Sequence, residues 1–307
     1  MGGASEHDHD TAGCLPRYMH RGALDDPEGA RVPDGVTVLD AHVHLFPPGL
    51  FEALWRWFDQ HAWPVRYRLH AEGVIAFLHE RGVKRFCALH YAHRPGIARD
   101  LNRFVRELSV AHPGIIPLGT VLPGEPDTDA IVREALGPMG LRGIKLHCHV
   151  QRMPADDPRI DPVYARCEEA AVPVVIHAGR EPSSPAYGVD ARALCAASQV
   201  ERVLQRHPRL KLLVPHLGAD EFDEYASLLD RYEHLWLDTT MAVGGYFGEE
   251  PPTALFPGRA SRLIYGTDFP NLPYAWDREL HRVRAAIPDT DLQAKVLYQN
   301  AEALFGC

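Results

Sequence analysis

Short runs of β-branched and leucine residues alternate with longer segments of helical apolar spacing from residue 36 to the carboxyl end. Continuous or period-two apolar runs predict strands at 36–45, 84–90, 115–121, 143–147, 172–177, 210–216, 235–239 and 263–267. Apolar residues recurring every three to four positions predict helices at 50–60, 69–81, 97–111, 127–136, 160–170, 190–206, 220–231, 276–286 and 290–304. Gly82 closes the second of these, and His112-Pro113-Gly114 follows the third. Residues 1–35 are polar, rich in Gly, Asp and Pro, and aperiodic. They read as an irregular arm leading into the first strand.

Eight strands separated by helices favour a parallel sheet with crossover helices. An open doubly wound sheet and a closed (β/α)8 barrel both alternate this way, and barrels commonly occupy about 250 residues as one domain. The expected organisation is therefore an arm at 1–35 and one α/β domain at 36–307, a TIM barrel if the strand ends converge.

The polar residues at those strand ends decide the matter. The first strand ends in Asp40-Ala41-His42-Val43-His44. Side chains two apart on a strand share a face, so His42 and His44 project together and can hold one ion. The fifth strand ends in Ile176-His177-Ala178-Gly179, the sixth in Pro215-His216-Leu217-Gly218, and the eighth in Gly266-Thr267-Asp268. On the fourth strand, Lys145 and His147 share a face. In a parallel barrel every strand's carboxyl end opens at one rim. Neutral imidazoles with a carboxylate suit Zn(II) or a neighbouring first-row ion.

The stretches DAHVHLF, GIKLH, VVIHAG, VPHLG and YGTDFP together resemble the amidohydrolase superfamily. The similarity is to its amidohydrolase-related branch (amidohydrolase 2) of TIM-barrel metal-dependent hydrolases and decarboxylases, from about residue 36 to the end. The resemblance implies that His42, His44 and His177 ligate a divalent metal. Asp268 is then a further ligand or a base for metal-bound water, and His216 an acid/base or a ligand of a second ion. Lys145 is either a carbamylated bridge between two ions or an electrostatic group beside one, with one ion favoured over two. A homodimer is a common arrangement in the branch.

Composition narrows the partners. A net charge of −9 and the lack of a basic cluster exclude a nucleic-acid or anionic-membrane surface. No apolar run approaches the roughly 20 residues needed to cross a bilayer, and the amino terminus has no secretory pattern. The six cysteines lack metal or disulfide spacing and read as reduced, buried thiols. The expectation is a cytoplasmic protein acting on a small molecule.

Other residues carry weaker signals. His7 and His9 form a second paired motif in the arm, without a strand to aim them. His147 and His149 are candidate substrate contacts, whereas His90 and His93 read as capping or loop residues. Arg180 either meets a substrate carboxylate or pairs with Glu181. Tyr187 lies on the same loop. The acidic run 220–224 suits a helix amino terminus. Tyr274 and Trp276, close after Asp268, are expected to form an aromatic wall, and the aromatic helix 51–58 to provide packing or a lid.

The leading functional expectation is a hydrolase using metal-activated water on a lactone, an amide or a similar carbonyl. A non-oxidative decarboxylase of an aromatic or unsaturated acid is the alternative, with a hydratase behind it. A non-catalytic, metabolite-binding barrel is the third reading, and it gives no reason to keep His42, His44, His177, His216 and Asp268 together.

Overall fold

The computed structural model describes residues 22–246 and 255–307. His7 and His9 lie outside them, as does part of the connection at 243–258. The strands are β1 (Leu39–His44), β2 (Arg85–Leu89), β3 (Ile115–Pro117), β4 (Gly119–Thr120), β5 (Ile144–His147), β6 (Val174–His177), β7 (Leu212–Val214), β8 (Leu235–Asp238) and β9 (Leu263–Ile264). Every pairing is parallel, in the orders β1-β2-β3 and β4-β5-β6-β7-β8-β9. The expected third strand, 115–121, bends at Leu118 and so contributes both β3 and β4, one to each sheet.

Backbone hydrogen bonds join the far edges. Ala41 N donates to Tyr265 O (3.0 Å), Asp268 N to His42 O (2.9 Å) and His44 N to Phe269 O (2.8 Å). Val43 also forms a parallel bridge with Phe269. The edge strand is thereby paired rather than open, as a barrel requires.

Alternate strand residues fall into two apolar clusters. Phe86, Ala88, Val174, Ile176, Leu212 and Val214 belong to the larger, which includes the helices. Cys87, Leu89, Ile116, Val175, Leu213 and Ile264 join a smaller one with Ala301, Leu304 and Phe305 of the last helix. Arg85, at the start of β2, pairs with Glu302 of that helix. The last helix therefore covers the amino-terminal end of the barrel and leaves the polar residues at the other end.

Two expected helices differ in detail. The span 190–206 is interrupted, giving Ala191–Leu194 and Ala197–Arg206. The span 290–304 contains a π segment, Lys295–Gln299, between Thr290–Ala294 and Asn300–Phe305. Cys87, Cys148, Cys167 and Cys195 are free and buried as expected, but Cys307 is exposed. Among the described residues, no helix is long and apolar enough to cross a membrane.

Residues 24–29 of the arm are tied to the domain. Leu24 N donates to Pro273 O, Gly29 N to Asp277 Oδ2, and Asp26 pairs with Arg66 and Arg278. Trp276 Nε1 donates to Gly29 O at 3.0 Å.

Candidate metal centre

Successive inward positions on β1 carry His42 and His44, whose rings meet edge to face at 5.1 Å. Asp268 reaches them from the loop after β9: its Oδ1 lies 2.9 Å from His44 Nε2 and 3.4 Å from His42 Nε2. One donor atom from each residue lies within 4.8 Å of the other two. Asp268 and His216 both hold a positive φ, 75° and 59°, in the left-handed region that non-glycine residues seldom occupy. Such backbone conformations collect at sites where a side chain must be aimed.

The hydrogen-bond network fixes the ring tautomers. Burial, reinforced by the Lys145 charge, holds the His42 pKa well below its ordinary value, so the ring is neutral with a single N–H. Nδ1–H donates to Asp238 Oδ2 at 2.9 Å, leaving a lone pair on Nε2. That lone pair faces the Asp268 carboxylate, an arrangement of two acceptors that a cation between them would satisfy. Asp238, at the end of β8, was not singled out from the sequence, although it is a carboxylate at a strand's carboxyl end. Its Oδ1 also accepts from His216 N (3.1 Å) and Thr240 N (3.2 Å).

Burial alone would raise the Asp268 pKa, but the His44 hydrogen bond and the neighbouring imidazoles outweigh it and hold the carboxyl below its ordinary range. His216 is also lowered, by burial against the opposing charges of Asp268 and Asp238. Its Nδ1–H donates to Thr240 O at 2.9 Å, so Nε2 accepts from His177 Nδ1 at 3.1 Å. His177 groups with His147 and His149 rather than with the His42 set. Lys145 is fully buried, and among the described residues its Nζ has no hydrogen-bond partner. Burial lowers its pKa to about 8 against the pull of Asp238 and Asp268.

His42, His44, Lys145, His177, His216 and Asp268 line one cavity of about 650 Å³. Tyr187, His147 and His149 line it as expected. Three expectations are corrected. Arg180 is not on the wall: it pairs with Glu221 at 2.9 Å and Asp220 at 3.7 Å, partners far along the chain rather than Glu181. Tyr274 is buried with its hydroxyl on Glu279, and Trp276 is turned to Gly29, so neither faces the cavity. The aromatic wall comes instead from Trp57 and Phe58 of the helix Pro48–His61, with Trp63, Tyr91 and Tyr187. Tyr187 packs on Trp57 at 4.9 Å.

Gly266 is packed directly against His42 and Thr240. A Cβ there would meet Thr240 Oγ1 at 2.4 Å and His42 Cβ at 2.9 Å. Gly266→Ala is expected to cost about 1–3 kcal/mol through overpacking and to push His42 off Asp238. A lowered thermal midpoint together with weaker metal binding is the outcome that checks it; wild-type values for both would refute the contact.

A family model described as Amidohydrolase matches residues 39–307. No curated protein matches the chain. Among solved structures, an uncharacterised TIM-barrel protein from Bordetella bronchiseptica is 20% identical, with a TM-score of 0.66 over 88% of this chain and 99% of that one. The 5-carboxyvanillate decarboxylase from Novosphingobium aromaticivorans, complexed with manganese and 4-hydroxy-3-methoxy-5-nitrobenzoic acid, is 16% identical, with a TM-score of 0.63 over 92% and 100%. A protein described as a probable 2-pyrone-4,6-dicarboxylic acid hydrolase, from Acinetobacter baumannii and with citric acid bound, is 17% identical, with a TM-score of 0.60 over 89% and 100%. At these identities the likeness is one of fold.

Proposed function

Because the chain belongs to the amidohydrolase family, we propose that it is a metal-dependent hydrolase of a small planar carbonyl compound, such as a lactone or an amide. The observation that carries this reading is the convergence of His42 Nε2, His44 Nε2 and Asp268 Oδ1 at the floor of an aromatic-walled cavity. Two imidazoles and a carboxylate fit Zn(II) or Mn(II).

When bound, a divalent cation lowers the pKa of a water towards about 7 and polarises a substrate carbonyl. Asp268, held ionised, accepts the attacking water's proton and passes it to the leaving group. Asp238 keeps the His42 tautomer, and Thr240 O keeps that of His216. Lys145, buried on the cavity wall, supplies positive charge to an oxyanion. Trp57, Phe58, Trp63, Tyr91 and Tyr187 exclude water and stack on a flat substrate.

A second reading, decarboxylation of an aromatic acid, is favoured by the same aromatic wall. The two separate on products. The loaded enzyme is expected to release protons from a panel of lactones or amines from a panel of amides, with the activity lost on chelation. Carbon dioxide release from aromatic acids, with no hydrolysis of either panel, would transfer the assignment to the second reading. Turnover that survives complete metal removal would overturn both.

A further inference from the structure

We infer that the substrate carries a carboxylate remote from its reacting carbonyl, and that Arg152 receives that group at the mouth of the cavity. The inference rests on the cavity being the substrate site, as proposed above, and not on which bond is broken there. Arg152 ends the turn Cys148–Gln151 that follows β5. Its backbone is left-handed, with φ 54° and ψ 45°, a conformation that glycine or asparagine usually supplies at such an end. Gln151 fixes the turn by accepting from His147 N and donating to Ala92 O and Val121 O. From that base the arginine reaches the loop after β6. A Cβ built on Gly188 would lie 3.7 Å from Arg152 Nη2, and Ser184, Ala186 and Tyr187 of the same loop line the cavity with it. Arg152 is exposed whereas Lys145 is fully buried, so the two cations stand at different depths, one at the mouth and one at the floor.

The protein itself does not engage this guanidinium. Among the described residues, Arg152 forms no ion pair and no side-chain hydrogen bond. Its neighbours differ: Arg159 is held by Asp157, Arg180 by Glu221 and Arg192 by Asp220. The charge balance of the wall points the same way. Lys145 and Arg152 face a single carboxylate, Asp268, while burial holds His42, His147, His177 and His216 below their ordinary pKa and so neutral. In a chain of net charge −9, a cationic excess in one cleft is a local arrangement, and a cleft with low-dielectric walls focuses such a field on an anion.

A planar guanidinium takes a carboxylate through two parallel hydrogen bonds. Trp57 and Tyr187, 4.9 Å apart, supply stacking surface nearby. Together they select a flat ring that bears a carboxylate over a neutral ring of the same shape. Arg180, expected from the sequence as a partner for such a group, is engaged by Glu221, and Arg152 takes that role.

Calorimetric titration of the full-length, zinc-reconstituted protein with isophthalate, and with isophthalamide as its neutral counterpart, tests the inference. The wild-type protein is expected to bind the diacid more tightly. R152Q should weaken isophthalate binding by about 10–100-fold, the usual scale for a hydrogen bond to a charged group, and leave isophthalamide within about twofold. R152K keeps the charge but not the fork and should fall between. An unchanged thermal midpoint serves as the folding control. No preference for the diacid in the wild-type protein, absence of binding included, would overturn the inference. So would an R152Q variant that binds isophthalate as the wild type does, or that loses both compounds in equal proportion. If the preference depends on Arg152 but no lactone or amide is hydrolysed, the proposed function fails while the carboxylate site stands. Hydrolysis of those panels without any dependence on Arg152 would sink the inference alone.

Discussion

Asp268→Asn is expected to reduce kcat by roughly 10²–10⁴-fold, the range that a positioned acid/base commonly contributes, while leaving much of the metal bound. The amide keeps an oxygen that can face His44 at the present 2.9 Å, but it cannot take up a proton near neutral pH. Asp268 is the carboxylate shared by His42 and His44, and its left-handed backbone directs it at them. Asn tolerates that conformation better than most residues, so the substitution isolates the proton-transfer role from the fold. Measuring kcat, KM and metal content together makes the result decisive. A variant with near-wild-type kcat and full metal content would remove Asp268 from proton transfer and leave it as a ligand alone.

The barrel was legible because a parallel strand that ends in a polar residue has few reasons to do so away from the rim. His42, His44, His177, His216 and Asp268 were all found by that rule, and each is buried in the structure. Asp238 obeys the same rule at the end of β8, but Thr239 and Thr240 follow it and the sequence there carries no paired motif to mark it. The rule also places residues at a rim without saying which of them touch. The division into His42–His44–Asp268 and His147–His149–His177 depends on strand register and on the turn after β5.

Tyr274 and Trp276 are close to Asp268 in sequence, but only Asn271 of this loop stays on the cavity; from Pro273 onward it packs under residues 24–29. An aperiodic polar arm carries no local signal of what it will cover, so that docking could not be anticipated. Arg180 illustrates the same limit: Glu181 was the visible partner, whereas Asp220 and Glu221 reach it only through the fold. The helix Pro48–His61 was read as packing or a lid, and Phe51 is indeed fully buried, but Leu54, Trp57 and Phe58 line the cavity.

Asp238→Asn should weaken metal binding by about 10–100-fold, the usual cost of losing a partner that orients a ligating histidine, although Asp238 lines no part of the cavity. The carboxylate serves three donors: His42 Nδ1 on Oδ2, and the backbone N–H groups of His216 and Thr240 on Oδ1. Asparagine can present its single oxygen to either group but not to both. If the oxygen stays with the two backbone N–H groups, the amide N–H faces His42 Nδ1, and the ring must move its proton to Nε2. The nitrogen aimed at Asp268 then becomes a donor and no longer has a lone pair for a cation. If the amide flips to keep His42 in place, two buried backbone donors lose their acceptor, at about 1–3 kcal/mol each. The variant is therefore forced to lose either affinity or stability. Metal affinity and the thermal midpoint of the apo protein, read together, identify which. Both at wild-type values would mean that Asp238 does not set the His42 tautomer, and the lone-pair argument for the metal centre would fall with it.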